Sequence, residues 1–137
     1  MRRNGRTMKL VYFDSETYST VDIKKAGGFR YVTDPSTQMI MGQFAVDDAP
    51  VKVYDYYDES THHLLDEIKA LAEDQDTRWI FWNAPFDRNV LRYTQGIEIP
   101  IERTIDTMAI DYPVSLPGQL GMALSSKLTF ANTKVII

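Results

Sequence analysis

The chain of 137 residues contains no cysteine and only two histidines. Without cysteine, disulfide bonds and thiolate metal sites are excluded. His62 and His63 are adjacent, and adjacent side chains on a helix point in different directions, so a metal ion shared between them is not expected. No segment approaches the roughly 20 apolar residues of a membrane span. A signal peptide requires a sustained apolar region after its basic start, and this chain has no such region there. These absences favour a cytoplasmic domain without membrane contact.

The chain also lacks an excess of positive charge. Its 15 Lys and Arg residues and 19 Asp and Glu residues give a formal net charge of −4. A protein that grips duplex DNA by its phosphates usually carries a basic excess, whereas an enzyme that holds cations with carboxylates need not. The first ten residues hold Arg2, Arg3, Arg6 and Lys9 with no acid among them. We expect residues 1–8 to form a frayed tail; the alternative is an electrostatic arm for a phosphate backbone.

The chain does contain alternating signals for strands and helices. Short apolar or alternating runs predict strands at 8–14, 38–46, 51–56, 78–82 and 103–106. Helices are predicted after a cap at Ser60 or Thr61, after Asn83-Ala84-Pro85, and from Pro117 to Lys127. Residues 22–36 carry glycine and proline turn signals and are typical of a loop. This order predicts one α/β domain with a mixed sheet, in which the first three strands form a meander.

Two acids, Asp14 and Glu16, lie two residues apart at the end of the first apolar run. Strand side chains alternate between faces, so both carboxylates leave the same face. Like charges at this separation repel, and a divalent cation is the natural compensation. The alternative is a polar strand end with two solvated acids.

A third carboxylate, Asp87, is predicted in the first turn of the helix that follows a buried strand. The helix dipole favours an acid at this position for structural reasons alone. The functional interpretation is that the helix carries Asp87 toward Asp14 and Glu16, so that three carboxylates converge on one cleft. Oxygen ligands alone select Mg²⁺ or Mn²⁺. Pairs of such ions, roughly 3.5–4 Å apart, run phosphoryl chemistry.

These segments resemble those of a known enzyme family. Phe13-Asp14-Ser15-Glu16-Thr17 resembles the first motif of the DnaQ-like (DEDD) 3′–5′ exonucleases, and Asn83-Ala84-Pro85-Phe86-Asp87 resembles their second motif. The stretch between the second and third motifs is matched by Asp106-Thr107-Met108 and Leu116-Pro117-Gly118-Gln119-Leu120. The similarity covers residues 9–125 and implies a ribonuclease H-like fold, a mixed sheet flanked by helices.

One branch of that family is matched more closely. The segments Asp14-Ser15-Glu16-Thr17-Tyr18-Ser19 and Asp22-Ile23-Lys24-Lys25-Ala26-Gly27 resemble the proofreading domain of phage-type family A DNA polymerases. Tyr31 and Asp34-Pro35-Ser36 continue this resemblance.

The resemblance implies a two-ion site of Mg²⁺ or Mn²⁺. It assigns Asp14 to bridge both ions, Glu16 to bind the ion that activates water, and Asp87 to serve the other ion, often through water. Asp106 is expected to be a structural or supporting acid rather than a ligand.

The resemblance also implies contacts with a single-stranded DNA 3′ end. Thr17 matches a position that contacts the terminal nucleotide, and Asn83 and Phe86 match positions that line the single-strand groove. From its helical spacing alone, Phe86 fits the core better than a stacking platform. Tyr18 directly follows the acidic site and is the better candidate to stack on a base.

The third motif of the family, a Tyr or His followed by an Asp about four residues on, has no counterpart after Asp87. Tyr112 is the only tyrosine after Tyr93, and no Asp or Glu follows Asp111. We therefore expect an exonuclease domain at 9–127 that is truncated before its third motif, followed by an atypical tail at 128–137. The site would lack one carboxylate and the group that orients water.

Three hypotheses follow from this incomplete match. The first is a metal-dependent exonuclease on single-stranded DNA ends, with the missing group supplied by a second chain or by Asp106 or Asp111. The second is a catalytically silent, phage-encoded module that binds nucleic acid or a protein partner, with Val135-Ile136-Ile137 as an apolar docking end. The third is one piece of a split exonuclease–polymerase. A phage-encoded protein would act in the cytoplasm of the bacterial host.

Overall fold

The computed structural model describes residues 2–3 and 6–108. Tyr112, Asp111, the helix predicted from Pro117 to Lys127 and the tail at 128–137 lie outside the described residues. The strands are β1 (Arg2–Arg3), β2 (Arg6–Thr7), β3 (Lys9–Tyr18), β4 (Gln38–Val46), β5 (Lys52–Asp55), β6 (Thr77–Phe81) and β7 (Thr104–Asp106). The helices are α1 (Ile23–Ala26), α2 (Gly28–Thr33), α3 (Leu64–Glu73) and α4 (Ala84–Gln95), with short 3₁₀ turns at Glu59–Thr61 and Ile101–Arg103.

Five strands form one mixed sheet in the order β5-β4-β3-β6-β7. β3, β4 and β5 are successive antiparallel neighbours, which confirms the predicted meander. β6 pairs with β3 and β7 pairs with β6, both in parallel. The turn between β4 and β5 contains Asp47 at φ 51°, and its Oδ1 accepts a hydrogen bond from the backbone N–H of Leu10. The predicted α/β architecture with a mixed sheet is confirmed.

An aromatic cluster forms the centre of the core. Phe13 of β3 lies 6.0 Å from both Trp79 and Phe81 of β6, measured between ring centroids. Leu64, Ile68 and Ala72 of α3 and Val90 and Leu91 of α4 belong to the same buried cluster. Crossovers between parallel strands are right-handed in nearly all proteins. This places α3, between β5 and β6, and α4, between β6 and β7, on the same face of the sheet.

The boundaries of α4 follow its sequence signals. Asn83 occupies the N-cap position and Pro85 lies in the first turn, as predicted, although the Asn83 side chain makes no capping hydrogen bond. Gly96 ends the helix at φ 68°, a left-handed conformation that glycine adopts without steric cost. The predicted cap of the preceding helix is wrong. Asp58 caps the turn at Glu59–Thr61 by accepting a bond from the backbone N–H of Ser60, and α3 begins only at Leu64.

The prediction of a loop at 22–36 is also wrong, because two short helices, α1 and α2, lie there. Asp22 caps α1 by accepting a bond from the backbone N–H of Lys24, and Gly27 at φ 87° separates the two helices. Val32 of α2 is buried, and the hydroxyl of Tyr31 bonds to Thr17 of β3. The glycine and proline turn signals in the sequence do not predict these contacts, because the contacts involve residues of β3.

Near the start of the chain, β1 pairs antiparallel with β2 in a two-stranded sheet that is separate from the main sheet. No helix in the described part of the chain has the length and apolar character needed to cross a bilayer.

Candidate metal and nucleic-acid site

The candidate site lies where three parallel strands end. β3, β6 and β7 run in the same direction, so their carboxyl ends share one edge of the sheet. Asp14 lies in the second half of β3, Asn83 opens α4 just after β6, and Asp106 is the last residue of β7. Open α/β sheets bind ligands at this edge because the strand ends and helix starts leave a crevice there.

Asp14 and Glu16 lie on one face of β3, as strand alternation predicts, and both are partly buried. β3 continues through them and pairs with β4, with Asp14 opposite Gln43 and Glu16 opposite Met41. Burial raises the pKa of Glu16, and the charge of Asp14 raises it further. Without a counter-charge, Glu16 is therefore easier to protonate than an exposed glutamate.

Asp87 lies in the first turn of α4 with only 4% of its surface exposed. The Ser15 hydroxyl donates a hydrogen bond to Asp87 Oδ1 at 2.5 Å. Burial raises the pKa of Asp87 to about 8; hydrogen bonding by Ser15 opposes that rise, and the charges of Asp14 and Asp106 add to it. At neutral pH a buried acid of this kind holds its proton for most of the time.

The acids of the candidate site influence one another electrostatically. Asp14 raises the pKa of both Glu16 and Asp87, and Asp106 raises that of Asp87, so these groups lie within electrostatic reach. Their oxygen donors suit a hard cation such as Mg²⁺ or Mn²⁺. Among residues 2–3 and 6–108, however, no group of three or more His, Cys, Asp and Glu side chains is placed to hold a metal ion. The donor chemistry fits, and the set of ligands in this part of the chain is incomplete.

The residues expected to contact DNA surround these acids. The Thr17 hydroxyl lies 2.8 Å from the Tyr31 hydroxyl, in a hydrogen bond that joins β3 to α2. Tyr18, at the end of β3, is 58% exposed. Asn83 is partly buried, and Phe86 packs against the core with its ring centroid 6.1 Å from that of Tyr31.

Three residues at the site were missed by sequence reasoning. Ser15 binds Asp87 from the opposite face of β3 to Asp14 and Glu16, a role that its position between two acids did not signal. Gln43, opposite Asp14, is fully buried, and its Oε1 has no hydrogen-bond partner among the described residues. Trp82 was predicted to belong to a buried strand; it instead follows β6 and is 41% exposed, beside the start of α4.

Comparison with known proteins finds a relative at the level of sequence. The chain is similar to a DNA polymerase of Bacillus phage SP02, with 29% identity over 128 residues. The matched region is 93% of this chain and 19% of the phage polymerase, so the chain spans about a fifth of that relative.

A structural comparison is more distant. The chain is similar to the family B DNA polymerase from the hyperthermophilic archaeon Pyrobaculum calidifontis, with a TM-score of 0.43 and 15% identity over 66% of this chain and 11% of that one. No family model matches the chain.

Proposed function

We propose that the chain forms a ribonuclease H-like, metal-dependent 3′–5′ exonuclease domain of the proofreading type, acting on single-stranded DNA ends. The observation that carries the proposal is the position of Asp14, Glu16 and Asp87 at one edge of the sheet, where the charge of Asp14 reaches both of the other acids. Similarity to a phage DNA polymerase over 93% of the chain supports a polymerase-related function on nucleic acids.

Asp14 and Glu16 would hold Mg²⁺ or Mn²⁺, and Asp87 would serve a second ion through its carboxylate. Such ions activate a water molecule at neutral pH and stabilise the leaving oxygen of a phosphodiester. The chain's own residues have separate tasks. Ser15 orients the Asp87 carboxylate through the hydrogen bond from its hydroxyl. Thr17 and Tyr31 hold the end of β3 against α2, which keeps the strand that carries both acids in place.

A second candidate is a nucleic-acid-binding module without catalysis. It is favoured by the absence, within the described residues, of a group of three acids or histidines that could hold a metal ion. In this case Asp14 and Glu16 would remain from an ancestral site. Glu16 would help to hold an ion that supplies activated water, so an incomplete set of ligands there would lower the rate more than the affinity for DNA.

The test is digestion of single-stranded DNA by the purified chain with Mn²⁺, Mg²⁺ or EDTA. A 5′-labelled oligonucleotide should give a ladder that shortens from the 3′ end, and EDTA should abolish it. Asp14→Ala should reduce the rate by at least about a hundredfold, since the loss of a charged group that acts in the transition state costs several kcal/mol.

The matched control is Asp66→Ala on the exposed side of α3, which should digest at the wild-type rate. If the wild-type protein shows no metal-dependent digestion, or if Asp14→Ala digests as fast as the wild type, the exonuclease assignment fails for this chain. The binding module would then be the better description.

A further inference from the structure

The segment that joins β3 to β4 carries an unusual concentration of positive charge. From Ile23 to Thr33 it contains Lys24, Lys25 and Arg30 and no acid, in a chain whose net charge is −4. All three cationic side chains are exposed, and none forms an ion pair within the described residues. The flanking acids are engaged locally: Asp22 caps α1, and Asp34 accepts bonds from Ser36.

Exposed aromatic rings accompany this charge. Phe29 of α2 is 63% exposed, and its ring lies edge-on to Tyr93 of α4, with the centroids 5.8 Å apart. Tyr93 is itself 42% exposed, and the Arg92 guanidinium lies 5.3 Å from the centroid of its ring. α2 and α4 also meet at Tyr31 and Phe86, whose ring centroids are 6.1 Å apart. Helix packing alone would favour burial of Phe29 rather than its exposure.

The segment is fixed to the strand that carries the acids. Tyr31 bonds to Thr17, the residue after Glu16, and Phe29 precedes Tyr31 by two positions, so their Cα atoms are roughly 5 Å apart in a helix. At the other end, Ser36 and Thr37 bond to Ser19 and Thr20 just beyond β3. These hydrogen bonds hold the segment against the end of β3, the strand that carries Asp14 and Glu16.

We infer that this surface binds the single-stranded nucleic acid that approaches the acids. The basic aromatic surface consists of Lys24, Lys25, Phe29, Arg30, Arg92 and Tyr93. The inference takes its class of substrate, a single-stranded nucleic acid, from the proposed function. Cationic side chains attract phosphates, and exposed rings stack on unpaired bases of any sequence. Phe29 and Tyr93 supply the stacking platform, and Lys24, Lys25 and Arg30 contact the backbone.

The experiment measures binding by fluorescence anisotropy with a 5′-labelled oligo(dT) and the full chain in EDTA, so that no cleavage takes place. Two further probes are an abasic oligonucleotide of the same length and a blunt duplex. The wild type should bind oligo(dT) more tightly than the duplex, because stacked and paired bases cannot lie on Phe29.

Phe29→Leu keeps an apolar contact with Tyr93 but removes the ring. It should weaken oligo(dT) binding at least about fivefold and leave binding to the abasic probe unchanged. Phe29→Trp should restore binding. Tyr57→Leu, an exposed tyrosine outside the proposed surface, is the matched control and should bind like the wild type. Unchanged thermal unfolding of Phe29→Leu shows that the effect does not come from lost folding.

The combined variant Lys24→Gln, Lys25→Gln, Arg30→Gln should weaken binding to both single-stranded probes. It should also reduce the slope of log affinity against log salt by about 2, at roughly 0.7 for each lost phosphate contact on a single strand. Lys69→Gln on α3, which is also exposed, should leave both quantities unchanged.

The inference is overturned if the wild type does not bind single strands, or if Phe29→Leu and the combined variant bind like the wild type. A protein partner would then be the better explanation of the exposed residues. Because these measurements contain no metal ion, they are independent of catalysis. Binding that maps to this surface in a chain that does not digest DNA would support the inference while contradicting the exonuclease assignment.

Discussion

At the scale of single residues, Asp87 differs from the other two acids of the candidate site in its burial. Asp14 and Glu16 are partly exposed on one face of β3, whereas Asp87 is buried and held by Ser15 from the other face. A buried carboxylic acid is stable when neutral, but metal binding needs it ionised. The same residue therefore stabilises the fold most at low pH and could serve a cation only at higher pH.

We predict that Asp87 makes the metal-free protein less stable as the pH rises. Its pKa in the folded state, about 8, lies above the ordinary value of 3.8, so the folded chain binds the proton more tightly than the unfolded chain. The free energy of unfolding should fall between about pH 4 and pH 8, by on the order of a few kcal/mol from this group. Asp87→Asn, which stays neutral and can still accept the Ser15 bond, should show a shallower decline.

The measurement is urea unfolding in EDTA at several pH values between 5 and 8.5. The control is Asp66→Asn, which also removes one negative charge but at an exposed position on α3. Its dependence of stability on pH should follow that of the wild type. Parallel curves for the wild type and Asp87→Asn would show that Asp87 keeps an ordinary affinity for its proton.

At the scale of elements, the sequence predicts those strands and helices whose determinants are local. Alternation placed Asp14 and Glu16 on one face, and the Asn83 and Pro85 signals located the start of α4. The sequence did not predict α1 and α2, because their position depends on the hydrogen bond between Tyr31 and Thr17. These two residues lie 14 positions apart. The bond from Ser15 to Asp87 spans 72 positions and depends on where α4 lies, so no local pattern reports it.

The end of α4 gives a prediction about backbone conformation. A methyl group added at the Cα of Gly96 or Gly28 would have no atom within 4 Å apart from those of its immediate chain neighbours and, in a helix, the nearby backbone, so it meets open space at both positions. Only Gly96 has a positive φ, 68°. Gly96→Ala should therefore cost about 1 kcal/mol in the free energy of unfolding, as the left-handed conformation does for L-residues, and lower the Tm by about 4 °C.

Gly28→Ala, at the first position of α2, is the matched change without positive φ and should be neutral or slightly stabilising. The measurement is thermal unfolding followed by circular dichroism. Equal destabilisation by the two substitutions would mean that α4 does not end in the left-handed conformation at Gly96.

At the scale of the whole molecule, the acids at the sheet edge act against the fold unless a cation compensates them. The net charge is −4, and the charge of Asp14 raises the pKa of both Glu16 and Asp87, so ionising all three together is unfavourable. A ligand that binds only the folded state stabilises it by mass action. Whole-chain stability is therefore a measure of metal binding that does not depend on catalysis.

We predict that Mn²⁺ raises the Tm of the wild type and that the rise is larger at pH 8 than at pH 6, because the carboxyl groups must lose protons to bind the ion. For an affinity near 1 mM, a tenfold excess adds about 1.4 kcal/mol, which corresponds to a few degrees. Asp14→Asn, which removes the acid that affects both Glu16 and Asp87, should abolish the rise, whereas Asp66→Asn should retain it. A full Mn²⁺ response in Asp14→Asn would place the ion elsewhere and would separate these acids from any metal site.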